Sequence, residues 1–347
     1  MFLLTLLTLV SYSGAVVLPL NAYSATETLY KVNKTSRIYV ISNSPQELLQ
    51  SLIITTSNSA QNSNGFTLSV PQNDGSLTPF IPTQDNDLLS VIFNGVNTLE
   101  GSLYMDSITP NLNVFPLLEN SSISFKQGTN VFFELNIPNG KIPVAQNVIV
   151  SQNLPLAGFV GLPETPNPPQ FFDSGSIENT TTYNQLELPM KIFHFTSKDA
   201  NVKYEIKYAE RTGLVIGSAG LLMTNNFPSG PYNTSEYNLN NQNGIQVDAI
   251  FIPRLDKTRA YGGNITIFMT PETLDPFVSP MISIADSNIT SNSPMNRIVI
   301  ESDGPYAIQY FLRDTTITTP SPFETSTKSS SFPKIIASLL IAVFFRF

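Results

Sequence analysis

The sequence predicts an all-β protein, built as two tandem antiparallel β-sandwich, jelly-roll-like domains and followed by a disordered Ser/Thr-rich stalk. Short β-branched and aromatic runs recur from Arg37 onward, separated by clusters of Asn, Gly, Pro and Ser, which is the pattern of strands and turns. Periodicity at 3.6 residues is nearly absent, so strands do not alternate with helices as an α/β fold requires. Midway, Gly161 to Gln170 reads GLPETPNPPQ, a proline density no sheet interior accepts.

The first predicted strand is Arg37–Ser42, a β-branched and aromatic run; a helical turn over Pro45–Ser51 follows. Leu52–Thr56, Phe66–Val70, Leu88–Phe93, Ser102–Met105, Val131–Ile137 and Val144–Val150 complete the first domain, each bounded by turn residues. Beyond the proline-rich segment come Leu186–Phe195, Val202–Ala209, Gly213–Met223, Gln246–Ile252, Asn264–Met269, Met281–Ala285, Arg297–Glu301 and Ala307–Arg313. A faint internal repeat supports two units: Arg37–Ser42 aligns with Lys191–Thr196, and in each a second strand follows around Ile53 or Ile206. The expected organisation is a signal peptide over 1–15, domain 1 over 16–160, a proline-rich linker over 161–172, domain 2 over 173–314, stalk and spacer over 315–334, and an apolar tail over 335–347.

The two ends read as targeting signals. Phe2–Val10 is an apolar run followed by small residues, with Ser13 and Ala15 placed for a cut after Ala15, although no basic residue precedes it. At the other end a Ser/Thr-rich stretch, a short polar spacer and the apolar run Ile335–Phe345 match a glycosylphosphatidylinositol attachment signal. That run holds 11 residues, whereas a membrane-spanning helix takes roughly 20. Ser326 is the expected lipid-bearing residue and Ser329 its nearest rival. The sequons at Asn33, Asn120, Asn179, Asn233, Asn264 and Asn288 are no more numerous than chance produces in so Asn-, Ser- and Thr-rich a chain. The secretory signal makes them expected glycosylation sites.

Composition excludes several functions. The 347 residues include no cysteine, which removes disulfides, thiolate metal sites and cysteine nucleophiles together. Charged residues are 13% of the chain and the net charge is −8, so a nucleic-acid partner, which demands clustered cations, is not expected. No cofactor motif is present.

His194, the only histidine, sits in KIFHF; strand alternation turns it away from Phe193 and Phe195 and predicts a half-exposed residue without catalytic partners. Asp173-Ser174-Gly175 matches the Asp-Ser/Thr-Gly loop of aspartic proteases. That chemistry needs two carboxylates sharing a proton, and no second such loop exists. Asp85 with Asp87, or Asp286, supplies too few oxygens for a calcium site. The glycines of Thr212–Leu222 lack the lysine of a phosphate loop and read as a buried strand.

With paired β-domains, both terminal signals and strand style at Arg37–Thr56 and Lys191–Ala209, the chain resembles nematode secreted and cell-surface proteins with CUB-like domains. The resemblance implies extracellular binding in epithelial surface or defence biology. Typical CUB domains carry disulfides and often an acidic calcium site; this chain has no cysteine and no match to that site. The expected function is therefore non-enzymatic: a lipid-anchored glycoprotein for surface recognition, adhesion or defence, with an extracellular protein or glycan as ligand. A carboxylate hydrolase using Asp173 and a structural coat component are the alternatives.

Overall fold

The structure, a computed structural model, describes residues 9–11, 14–58, 61–118, 121–136, 141–151, 153–177, 180, 182–198, 202–210, 213–225, 227–230, 233–255, 262–281 and 288–315. Their regular secondary structure is almost all strand, in five sheets. Most pairings are antiparallel; three are parallel, including Leu112–Leu117 against 129–134.

The first sheet orders its strands Leu9–Ser11, Thr28–Val32, Asp87–Phe93, Leu52–Thr56 and Asn62–Asn64. The second holds Ala15–Pro19, Ser102–Asp106 and Arg37–Ile41. In the third, Gln170–Asp173, Leu156–Val160, Ile192–Ser197, Gly128–Glu134 and Leu112–Leu117 lie side by side. The fourth has eight strands, with Ile142–Ile149, Thr182–Glu187, Ala219–Met223, Tyr306–Asp314 and Val247–Leu255 in its interior. Asn233–Asn238, Met295–Ser302, Gly263–Met269 and Phe277–Pro280 form the fifth.

These sheets stack in that order, because four buried cores fill the spaces between them. Side chains alternate across a strand, so one inner strand serves two cores. Ile38 and Val40 face the first sheet, while Tyr39 and Ile41 pack with Val114, Val131 and Phe133 of the third. Phe132 points the other way, into the core shared with Ala145, Tyr183, Leu186 and Leu221 of the fourth sheet. On the far side of that sheet, Leu222, Ile308, Tyr310 and Leu312 meet Ile265, Ile267, Ile298 and Ile300 of the fifth. Strands buried on both faces read as continuous apolar runs, which is why AGLLM at Ala219–Met223 is buried throughout.

The third sheet carries an aromatic ladder. Phe132 stands opposite Phe115 on one neighbour and Phe193 on the other, its ring stacked on each with centroids 5.0 Å apart. Phe125 and Phe195 meet it edge-on. Gly158 makes room for this cluster, since a Cβ there would lie 2.7 Å from the rings of Phe171 and Phe195.

Several expected elements change. Residues 161–169 are no linker: they connect the antiparallel neighbours Leu156–Val160 and Gln170–Asp173 within one sheet. The third and fourth sheets both draw strands from either side of this segment, so the boundary at 161–172 divides neither of them. Phe66–Val70 is not a strand; Gly65–Ser69 is a short helix whose first turn is capped by Asn64, with Oδ1 accepting from Thr67 N at 2.9 Å. The run Leu186–Phe195 breaks at Pro189, and its halves enter different sheets because proline has no N–H for a ladder. Only Ala219–Met223 of the Gly213–Met223 run is strand. Arg37–Ile41 is an edge strand and Ile192–Ser197 an inner one, so the aligned repeat strands occupy unlike places. Strands such as Leu112–Leu117, Leu156–Val160 and Asn233–Asn238 were not expected, for they contain Pro, Gly or Asn. The stalk after Thr315, Ser326, Ser329, the apolar tail, Asn120, Asn179 and Asp286 lie outside the described residues. Among the described residues no helix is long and apolar enough to cross a membrane.

Truncating the centre of the ladder, Phe132→Ala, is expected to cost about 3–5 kcal/mol, read by chemical denaturation, with Phe132→Leu recovering most of it.

Candidate functional site

Asp106 ends the strand Ser102–Asp106 and organises the turn after it. Its Oδ1 accepts from the main-chain N–H of Ile108 and of Thr109, both at 2.8 Å, the side-chain-to-backbone closure that Asp favours in turns. Its Oδ2 accepts from Tyr104 at 3.0 Å and from the Thr109 hydroxyl at 2.6 Å. The residue is 1% exposed. Burial alone would raise its pKa, but hydrogen bonds from Glu164, Thr109 and the turn N–H groups override it and leave the carboxyl below its usual range.

The Thr109 hydroxyl also touches Glu164 Oε1. A hydroxyl has one proton, and Thr109 gives its proton to Asp106. One of the two carboxyls must therefore carry a proton of its own, and the hydrogen bond between them, which lowers Asp106 and raises Glu164, favours Glu164 as the protonated one. Burial first, then the hydrogen bond to Asp106, push the Glu164 pKa up to about 7. Below about pH 7 a neutral carboxyl thus lies against an ionised one across a threonine hydroxyl. Arg37 Nη1 donates to the Thr109 carbonyl at 3.3 Å and holds the same turn.

Glu164 belongs to the proline-rich connection, and His194 anchors the start of that connection. His194 Nδ1 lies 2.9 Å from the Gly161 carbonyl; since a carbonyl only accepts, Nδ1 carries the proton. The imidazole stacks on Phe159, 5.3 Å between centroids. It is 3% exposed rather than half-exposed, because the residue does alternate with Phe193 and Phe195 but the connection folds over its face. Burial lowers its pKa. Ile108, Thr109, Pro110, Phe159, Pro163 and His194 line an open cleft of about 450 Å³ beside these groups.

Asp173 is placed elsewhere. Its Oδ1 accepts from Gly175 N at 2.9 Å and caps a turn of 3-10 helix, Ser174–Ser176. Gln309 grips its main chain, accepting from Asp173 N at 2.9 Å and donating to Asp173 O at 3.0 Å. Ser174 Oγ accepts from Leu156 N at 2.8 Å. The Asp-Ser-Gly segment is thus a structural clasp joining the third and fourth sheets.

Asp85 is paired with Lys34 at 3.0 Å, and Asp87 is buried, accepting from Asn58 N and Leu88 N; the two carboxylates do not converge. No group of three or more potential metal ligands occurs among the described residues. Of the sequons, Asn33 and Asn288 are exposed, Asn264 is half-buried and Asn233 starts a strand.

Sequence reasoning missed Asp106, Thr109 and Glu164. Asp106-Ser-Ile-Thr109 is a legible turn signal, but its carboxyl partner lies 58 positions away and only the fold brings it there.

No protein-family model matches this chain, and no curated protein does. Among solved structures it is similar to the CUB1-EGF-CUB2 domains of rat MASP-1, at 11% identity, covering 88% of this chain and 100% of that one, with a TM-score of 0.20. Superposition that loose transfers no ligand or residue role. What fold and site define is an all-β stack of mainly antiparallel sandwiches, with a carboxyl–carboxylate clasp beside an open cleft.

The clasp makes stability pH-dependent. A Glu164 pKa raised from 4.5 to about 7 contributes stability that is complete below about pH 4.5 and lost as pH rises through about 7. Glu134, raised by burial to about 7, acts in the same sense; the depressed His194 and Asp106 act oppositely, losing their contributions as pH falls. Glu164→Gln should leave the melting temperature near wild type at pH 5. At pH 8 it should stabilise the protein by about 1–2 kcal/mol, a figure discounted for solvent screening. A difference between the two proteins that does not change from pH 5 to pH 8 would contradict the shared proton.

Proposed function

We propose that this chain is a non-enzymatic extracellular glycoprotein that acts in surface recognition, adhesion or defence-related binding. The observation that carries the reading is the state of the cleft's polar groups. Asp106 and Thr109, with Oε1 of Glu164 and Nδ1 of His194, are held by hydrogen bonds within the fold, so they keep a surface in shape. The surface left facing solvent is apolar and stiff, with Ile108 60% exposed beside Pro110, Phe159, Pro163 and Pro168. Such a surface suits binding better than chemistry.

The address comes from the chain ends. The apolar run after Met1 supports secretion, and the Ser/Thr-rich stretch with the tail Ile335–Phe345 supports a glycolipid anchor at Ser326. In this reading the protein stands on the outer face of the plasma membrane and binds an extracellular protein or glycan, and no nucleic acid. A cut after Ala15 would remove the edge strand Leu9–Ser11, which pairs only with Thr28–Val32, and leave the other four strands of that sheet joined. The exposed Asn33 and Asn288 and the half-buried Asn264 are the sequons best placed for glycans, with Asn233, Asn120 and Asn179 completing the set.

Cells expressing the full chain, treated with phosphatidylinositol-specific phospholipase C, should release it into the medium, and a chain ending at Thr325 should be secreted without treatment. A full chain that stays in the membrane after treatment overturns the lipid anchor.

A further inference from the structure

We propose that a second cleft, at one end of the fifth sheet, binds a neutral oligosaccharide. This deepens the recognition reading and rests on it for the extracellular setting alone. The cleft measures about 480 Å³, within the roughly 300–1,000 Å³ range of small-ligand sites. Its lining differs from that of the first cleft, being Asn238, Asn240, Gln242, Thr270, Glu272 and Asn296, with Asn241 and Arg297 beside them. Each carboxamide presents a donor and an acceptor side by side, and each sugar hydroxyl both donates and accepts. A wall of amides is therefore complementary to a row of vicinal hydroxyls.

The walls are held in place before any ligand arrives. Asn241, 3% exposed, ties its loop from inside: Nδ2 donates to the carbonyls of Ile245 at 2.7 Å and Met295 at 2.9 Å, and Oδ1 accepts from Ile245 N at 2.9 Å. Thr270 Oγ1 donates to Asn241 O at 3.1 Å, and Thr270 N donates to Pro294 O at 2.8 Å. Leu239 N donates to Asn296 O at 2.7 Å. Three chain segments are thereby locked around one concavity, which lowers the ordering cost of binding.

Two further features point to the ligand. The Arg297 charge is already engaged, with the guanidinium 3.9 Å from the Phe268 ring centroid and 3.4 Å from Glu236. Glu272 adds negative charge to the cleft. The balance disfavours sialylated or sulfated groups and selects a neutral ligand.

The test is a panel of immobilised neutral oligosaccharides and of their sialylated and sulfated counterparts, probed with the purified full chain and with Gln242→Ala/Glu272→Ala, both exposed positions. The full chain is expected to be retained by at least one neutral oligosaccharide, and the double variant to bind it at least about tenfold more weakly at an unchanged melting temperature. Retention of no neutral probe, retention of anionic probes alone, or equal binding by the double variant overturns the proposal. A chain that adheres to cells yet binds no panel member loses this site and keeps the recognition reading. A chain that binds the panel but is not lipid-anchored keeps this site and loses only the anchor.

Discussion

Every inner sheet of this protein must be apolar on both faces at once. Five sheets enclose four cores, so the second, third and fourth sheets each supply side chains to two of them. In a chain without cysteine, this double burial takes the place that disulfides hold in many secreted domains. It explains why Tyr39, Tyr104, Phe115, Phe132, Phe193 and Tyr310 are all at most 1% exposed. Aromatic residues provide the largest buried area per position, and here they sit where sheet packs on sheet.

Double burial leaves few places for polar groups, and those present join the layers. Gln309, on a strand of the fourth sheet, hydrogen-bonds both main-chain groups of Asp173 at the end of a third-sheet strand, as a neighbouring peptide would. Glu187 Oε2 accepts from Met223 N within the fourth sheet at 2.9 Å and from Tyr237 of the fifth at 3.4 Å. Asn130 closes its own turn with a carboxamide bonded to the backbone of Lys126 at 2.9 Å and 3.2 Å. A buried polar group left unmatched costs about 1–3 kcal/mol, so the Gln309–Asp173 and Glu187–Tyr237 bonds, which cross between sheets, also oppose any shift of one layer over another.

The two clefts follow from the same architecture. The faces of the inner sheets are used up in cores, which leaves loops at the sheet ends to carry binding surfaces. One cleft is walled by a proline-rich connection pinned through Glu164, Thr109 and Asp106, the other by loops pinned through Asn241. In both, a buried polar side chain sets the loop geometry and other side chains line the opening.

The all-β class and most strands were legible because they depend on neighbours in sequence: β-branched runs, alternation and turn residues act over a few positions. The orientation of His194 relative to Phe193 and Phe195 was legible for the same reason, though its burial was not, since the covering segment lies some thirty positions away. The proline-rich segment was recognised as non-strand, yet prolines alone do not distinguish a linker from a connection within one sheet; the pairing of Leu156–Val160 with Gln170–Asp173 decided that. Likewise Asp173 carried a protease-like motif, and its partners Gln309 and Leu156 made it a clasp. Local chemistry alone thus determined the all-β class. Which carboxyls meet, which loops form clefts and how many layers share one chain were decided by the tertiary structure, because those contacts join residues tens of positions apart whose pairing no local pattern encodes.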